Sequence, residues 1–357
     1  MKLWGRLPVP KYLAHNIYGD TSSTSAAFLD GHIDIDQQFL PNVQDLVQNG
    51  GEPIYTYLAQ PPYNINTTMP AAWFNMNSYG LDQTAVRKAI AIAVDYGSIS
   101  GGAMAGQSQT FGQTPPSLMN PTVNEQDLFD HDAVKDLQWI GNDIDGANKL
   151  LDDAGIIDTN GDGFREYDGQ TLKYNAVCPD NKADWQAAMK AVAEAGPKIG
   201  IDIETLIVPW NIYQSVVTYG SQTDYDIFAW ADDGTGPLYP WSRIRERMGS
   251  EFLNQVNNRG GNWGGYKNDR ADEIIKDILT ETDKTNLKEL YTEAVKIYLT
   301  DVPSFTLMYK PELFYTVNES VWTGFPKASD NRNIPPTDCT DGYGIAGLYY
   351  LKLAGAR

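Results

Sequence analysis

The chain has 357 residues, 42% apolar and 20% charged, with 46 acidic against 27 basic side chains and a formal charge of −19. That is enough polypeptide for two compact domains, and the acidic balance with no basic run excludes phosphate-backbone recognition and argues against an anionic membrane surface. No apolar stretch reaches the roughly 18 residues of a membrane span, and the opening MKLWGRLPVPKYL has neither the apolar core nor the cleavage site of a secretory signal.

In chain order, TSAAFLD predicts a short helix, GHIDIDQQF a strand, and PAAWFNMN an aromatic strand. Val86, Ala89, Ile90 and Ala93 recur at helical spacing, so the segment after Asp82 or Thr84 as N-cap is an amphipathic helix. A Gly/Ser/Pro-rich loop follows (97–121), then a helix burying Ala147, Leu150, Leu151 and Ala154 that Gly155 stops. Trp185, Ala188, Met189, Val192 and Ile199 mark another helix. IDIETLIV reads as a half-buried strand and YDIFAW as a second. Two helices carry Ala271, Ile274, Ile275, Ile278 and Leu287, Leu290, Tyr291, Ala294, Ile297, and PSFTLMY and ELFYTV close the chain as strands. This alternation predicts an α/β architecture with partly parallel sheets, and the best crossovers between lobes fall at 75–81 and 304–311.

The easily read enzyme classes are missing: the sequence has no HExxH, no P-loop and no GxSxG. Three histidines and two distant cysteines, Cys178 and Cys339, form no metal or redox motif, although the cysteines could make one disulfide in an oxidising compartment. GYGIAG fits GxGxxG, but too little chain follows Gly347 for a dinucleotide fold. Asp232 and Asp233 could in principle serve a glycosidase, yet adjacent carboxylates rarely face each other across a bond. Asn66 and Asn318 open glycosylation sequons that nothing else supports.

DTNGDGFREYDG (158–169) matches the first half of a calcium loop, with Asp158, Asn160 and Asp162 at positions 1, 3 and 5, Gly163 at 6 and Glu166 at 9. Position 12 is Gly169, with Asp168 as a substitute ligand, so the alternatives are a structural calcium and a plain Asx/Gly turn.

Nine Trp and 21 Tyr are a heavy aromatic load, and several stand in polar loops: VPWN, FAWADDGTGPLYPW and GGNWGGY. Aromatics capping the core under long loops is one reading. Clustering beside Asp and Asn favours another, a surface for a polyhydroxylated ligand whose C–H faces stack on rings while its hydroxyls bond carboxylate and amide groups.

AVRKAIAIAVDYGSIS resembles the extracellular solute-binding proteins of the oligopeptide/dipeptide-binding family that serve ABC importers, through Val86-Arg87-x-Ala89-Ile90 and Ala93-x-Asp95. AAFLDGHIDID, ANKLLDDAGIIDTNGDG, YDIFAW and YLTDVPSFTLMYKPELFYTVNESVWTG agree in order. The resemblance implies a two-lobed periplasmic-binding-protein-like α/β fold (type II, cluster C) with the first part of the large lobe missing: 1–80 from lobe I, 81–304 the second lobe, 305–357 the return to lobe I. It implies no enzymatic activity, an extracytoplasmic location with signal or lipid anchor outside this chain, ABC permease subunits as partners, a monomer, and capture by lobe closure. No cofactor is required, and the calcium weighed above would be structural.

WADDGTGPLYPWSR and GGNWGGYKND look closest to the branch that binds cello- or manno-oligosaccharides. On that resemblance Trp230, Trp241 and Trp263 stack on sugar, Asp232, Asp233 and Asn262 bond hydroxyls, and Trp73, Asn75, Trp210 and Tyr239 complete the ligand set. The family alternative is a peptide receptor in which Asp232 holds the peptide ammonium.

Overall fold

The computed structural model describes residues 5, 7–18, 21–49, 53–219, 225–231, 239–253, 260–332, 334–336 and 345–355. The chain forms two compact units. The first comprises Met1–Ile65, Met104–Ser108 and Pro311–Arg357; the second comprises Asn66–Ala103 and Gln109–Lys310.

In the first unit, helix α1 (Thr21–Leu29) leads to β1 (Ile35–Asp36), and α2 (Val43–Asn49) to β2 (Ile54–Thr56). The returning chain supplies β10 (Thr316–Asn318), β11 (Trp322–Thr323), α11 (Ile345–Leu348) and β12 (Lys352–Leu353). β10 lies between β1 and β2, antiparallel to both, with Thr316 opposite Asp36 on one side and Thr56 on the other. Phe28, Leu40, Val43 and Tyr63 form one buried cluster, and Tyr315, Val317, Phe325 and Leu351 another. Asn318 is buried here with its amide donating to the Phe28 carbonyl, and Asn66 is buried in the second unit, so both sequons are closed to glycosylation.

The second unit is built on a five-stranded sheet of order β7-β6-β8-β3-β9: β3 (Ala71–Phe74), β6 (Lys173–Pro179), β7 (Asp202–Val208), β8 (Ile227–Trp230) and β9 (Ser304–Thr306). β6 runs parallel to β7 and β8, while β3 is antiparallel to β8 and β9. Since β3 and β9 hydrogen-bond inside this sheet, the units divide at 65/66 and 310/311 instead of the expected 80/81 and 304/305. The chain also enters the first unit briefly at Met104–Ser108.

Helices α3 (Thr84–Ala93), α5 (Ile144–Asp153), α6 (Ala183–Ala195), α8 (Tyr239–Met248), α9 (Asp269–Thr280) and α10 (Lys284–Asp301) surround the sheet's core, with short α4 (Val123–Gln126) and α7 (Trp210–Gln214) and a hairpin β4 (Glu166–Tyr167)–β5 (Gln170–Thr171). The expected apolar stripes of α3 and α9 are buried; in α10 Tyr291 and Ala294 are buried while Leu287, Leu290 and Ile297 are half-buried, and in α5 Ala147 and Leu151 are buried. The N-cap of α3 is Gln83, with no side-chain cap bond; Thr84 instead accepts from the Arg87 guanidinium. Arg87 is itself buried, and donates to the Leu81, Asp301 and Val302 carbonyls, so a cation closes the C-terminus of α10. Among the described residues, no helix is long and apolar enough to cross a membrane.

Candidate ligand-binding site

The carboxyl ends of the parallel strands β6, β7 and β8 share one rim, with Pro179 paired to Val208. Open α/β sheets place their ligand sites at such rims. Trp230 is the last residue of β8, and Trp210 opens α7 two residues beyond β7. Strand alternation puts Ala71, Trp73, Val177, Phe228 and Trp230 on one face, because Trp73 is registered with Phe228 and Ala71 with Trp230.

On this face Trp73, Tyr213, Tyr225, Phe228 and Trp263 are buried in one cluster, against which half-buried Trp210 and Trp230 pack. Trp210, Tyr213 and Trp230 are near-parallel: ring centroids lie 6.0, 6.1 and 6.2 Å apart with interplanar angles of 12°, 15° and 24°. A single column would make one separation about twice the others. Three nearly equal separations mean instead a triangle of centroids, with Tyr213 on its buried side. Trp263 supports them from the side, tilted 5.1 Å from Trp230 and edge-on 5.1 Å from Trp73, which in turn stacks on Phe228. The Tyr213 hydroxyl donates to the Ala229 carbonyl, and burial raises its pKa well above the ordinary phenol value, so it remains a neutral donor.

Four of the expected ligand residues, Trp73, Trp210, Trp230 and Trp263, therefore meet, but only Trp210 and Trp230 keep substantial exposure; Trp73 and Trp263 form the base. Tyr213 was not among the expected residues. Its signal was the i,i+3 spacing from Trp210, which sets both rings on one helical face.

Trp241 does not join them. Its indole N–H donates to the Ile275 carbonyl at 2.8 Å and the Arg245 guanidinium lies 5.4 Å from its ring, so it packs α8 against α9. Asn75 and Asn262 are buried structural amides. Asn75 donates to the Tyr225 carbonyl and accepts from the Asn77 N–H, and Asn262 donates to the Gly249 and Tyr266 carbonyls while accepting from the Tyr266 N–H. Both amides thus serve the protein's own backbone, where the sequence had suggested ligand hydroxyls for Asn262. Asp232 and Asp233 lie outside the described residues, as does the side chain of Tyr239 at the start of α8.

In the acidic loop, Asp158, Asp162 and Glu166 bring carboxylate oxygens within 4.8 Å of one another. Asp158 accepts from the Gly161 and Gly163 N–H groups, which lower its pKa, and Asn160 donates to both Asp162 and Glu166. Asp168 is not part of this group. With φ of 45° beside Gly169 at 80°, it forms the two-residue turn of the β4–β5 hairpin, and buried Glu166 takes the expected place. Cys178 is buried in β6, with its thiol pushed up to about 11 by burial; Cys339 lies outside the described residues.

Comparison with known proteins agrees with this architecture. The profile of the middle region of the bacterial extracellular solute-binding proteins, family 5, matches residues 2–245. Among curated proteins, the oligopeptide-binding protein AppA of Bacillus subtilis is 26% identical over 251 residues, 70% of this chain and 42% of AppA. OppA of the same organism is 27% identical over 247 residues, 68% of this chain and 39% of OppA.

The crystal structure of the periplasmic oligopeptide-binding protein of an oligopeptide ABC transporter from Thermotoga maritima superimposes with a TM-score of 0.84 at 23% identity, covering 93% of this chain and 61% of the other. A mannohexaose-bound structure described in the same terms gives 0.81 at 22% identity, covering 94% and 61%. The nonapeptide complex of Bacillus subtilis AppA gives 0.70 at 18%, covering 96% and 60%. This chain therefore has the α/β fold of periplasmic solute-binding proteins, and it spans less than two thirds of the length of each of these relatives. It belongs to the bacterial extracellular solute-binding proteins, family 5.

Proposed function

We propose that this protein acts outside the cytoplasm as a non-enzymatic solute receptor of an ABC importer, and that its solute is an oligosaccharide of cello- or manno-type. The near-parallel, half-buried Trp210 and Trp230 rings at the carboxyl ends of the parallel strands, backed by the buried Tyr213, carry this reading. Side-by-side rings suit successive pyranose faces, since each ring offers an apolar plane and leaves the sugar's equatorial hydroxyls free for polar neighbours. The mannohexaose complex of the Thermotoga maritima protein supports it. The names of the Bacillus subtilis relatives favour a second reading, a peptide solute.

The test is a titration of intrinsic tryptophan fluorescence with mannohexaose, cellohexaose and a nonapeptide mixture. The sugars are expected to shift and quench the emission, and W210A and W230A each to weaken binding by roughly 1–2 kcal/mol, about five- to thirtyfold in Kd. A response to peptides alone would transfer the assignment to the second reading, and release of reducing ends would end the receptor reading.

A further inference from the structure

Asn262 and Tyr266 enclose Trp263 in a turn whose hydrogen bonds are directed inward. The Asn262 Oδ1 accepts from the Tyr266 N–H at 2.9 Å, while Nδ2 donates to the Tyr266 carbonyl at 2.7 Å and to the Gly249 carbonyl at 2.9 Å. The side-chain amide thus imitates a peptide group across the turn and, at the same time, reaches the carbonyl of the residue just beyond α8. The Asn262 main-chain N–H donates to Glu246 in the last turn of that helix.

Asn262 pays for this with a left-handed backbone, φ of 46°, a region that asparagine tolerates better than most residues. Gly264 presses its backbone on β3, where a Cβ would overlap the Phe74 carbonyl oxygen, and its own carbonyl accepts from the Met76 N–H at 2.8 Å. At the far side the Tyr266 hydroxyl donates to Asp301, which also accepts from Asn268 at 3.1 Å. The turn is therefore fixed to α8, β3 and α10, and the residue so held is the indole against which Trp230 and Trp73 lean.

We infer that Asn262, with Tyr266, is a positioning residue for the aromatic platform: it touches no ligand, and fixes the Trp263 ring that sets the orientation of Trp230. The inference deepens the receptor reading and rests on it for its consequence in affinity. Preorganised neighbours of a binding group commonly govern its performance as much as the group itself.

Circular dichroism and binding of mannohexaose test it on the full chain. Coupled indoles about 5.1 Å apart give an exciton couplet, superimposed on the far-UV peptide bands, that depends on their mutual orientation. N262A is expected to keep the helical peptide bands, to lose much of this couplet, and to weaken mannohexaose binding roughly tenfold. Y266F loses only the bond to Asp301 and should move the couplet in the same direction by less, whereas N262D sets a buried carboxylate oxygen against the Gly249 and Tyr266 carbonyls and should move it at least as far as N262A. If N262A fails to fold, these two are read on the same observables. Folded variants with a wild-type couplet and wild-type affinity but a lower Tm would overturn the inference and leave Asn262 a stabiliser. Should the wild type bind neither mannohexaose nor the nonapeptide mixture, the receptor reading falls, and the couplet alone decides the positioning role.

Discussion

Removing Glu125 should destabilise the second unit far more than an ordinary surface charge would, because its carboxylate is surrounded by buried donors. Arg243 of α8 is almost wholly buried and its Nη1 lies 2.7 Å from Glu125 Oε2; the same oxygen accepts the Asn120 main-chain N–H at 2.7 Å, and Oε1 accepts the Asn120 side-chain amide at 3.3 Å. In E125A the guanidinium keeps the Leu118 carbonyl, 3.0 Å away, but loses the Glu125 carboxylate, and the Asn120 N–H loses its acceptor. Breaking a buried ion pair by removing one partner costs roughly 3–5 kcal/mol and an unsatisfied N–H roughly 1–3. The two overlap, so a loss of about 4 kcal/mol is expected in urea unfolding. The paired change R243M/E125L removes both charges and should recover most of it. A double-mutant cycle at two pH values is the assay. A single-mutant loss below about 1 kcal/mol, the range of exposed pairs, would refute the claim that this pair is shielded from solvent.

The remaining tests are smaller. Burial raises the Asp36 carboxyl to about 6, with one oxygen accepting from the Gln38 N–H and the other unpartnered. The folded state thus binds the proton more tightly than the unfolded chain. Its contribution is complete below the unfolded value near 3.8, is lost as pH rises through 6, and amounts to about 1–3 kcal/mol. The difference in stability between wild type and D36N should follow this course, and a flat difference between pH 4 and 7 would refute it. Lys88 donates to the Leu137 and Leu299 carbonyls with Trp139 beside it, and burial pushes it down to about 8. Because the unfolded lysine holds its proton to higher pH, stability should rise between pH 8 and 10.5, and K88M should remove that rise. In the acidic loop, D162N should abolish a calcium-dependent rise in Tm that D168N leaves intact; equal loss in both would restore Asp168 to the donor set.

Periodicity made the helices legible. Val86, Ala89, Ile90 and Ala93, or Ala271, Ile274, Ile275 and Ile278, can be satisfied only by a helix with one apolar side. The strand β6 escaped notice although it joins β7 to β8. KYNAVCP carries Asn175 and Pro179, which look unlike a sheet interior. Asn175 is accommodated because its N–H donates to the Asp226 carboxylate and its side chain accepts the Asp226 N–H. That exchange involves residues 51 apart in sequence, and no local pattern announces it. The exposed end of β7 is the converse case: IDIETLIV alternates correctly, but β7 is the edge strand, paired only with β6, and Leu206 and Ile207 stand in solvent.

The candidate site divides along the same line. Tryptophans in polar loops could be recognised individually, and the structure gathers three of them, Trp210, Trp230 and Trp263, around Trp73 of β3. What composition could not supply was the division of labour among residues that read alike. A Trp beside Pro and Ser (Trp241) became a helix-packing residue, while a Trp beside Asn and Gly (Trp263) became part of the base of the aromatic cluster. The deciding quantity in each case is the geometry available to the polar partner. Trp241 finds the Ile275 carbonyl of α9 within hydrogen-bond reach, whereas Asn262 finds the two carbonyls and one N–H that consume its amide. A buried amide surrounded by main-chain groups is satisfied before any ligand arrives, since leaving those groups unpaired would cost more than a sugar hydroxyl could return. On the proposed function, direct polar recognition of a solute at this rim falls to groups other than Asn75 and Asn262, while those two amides keep the backbone beneath the rings in one arrangement.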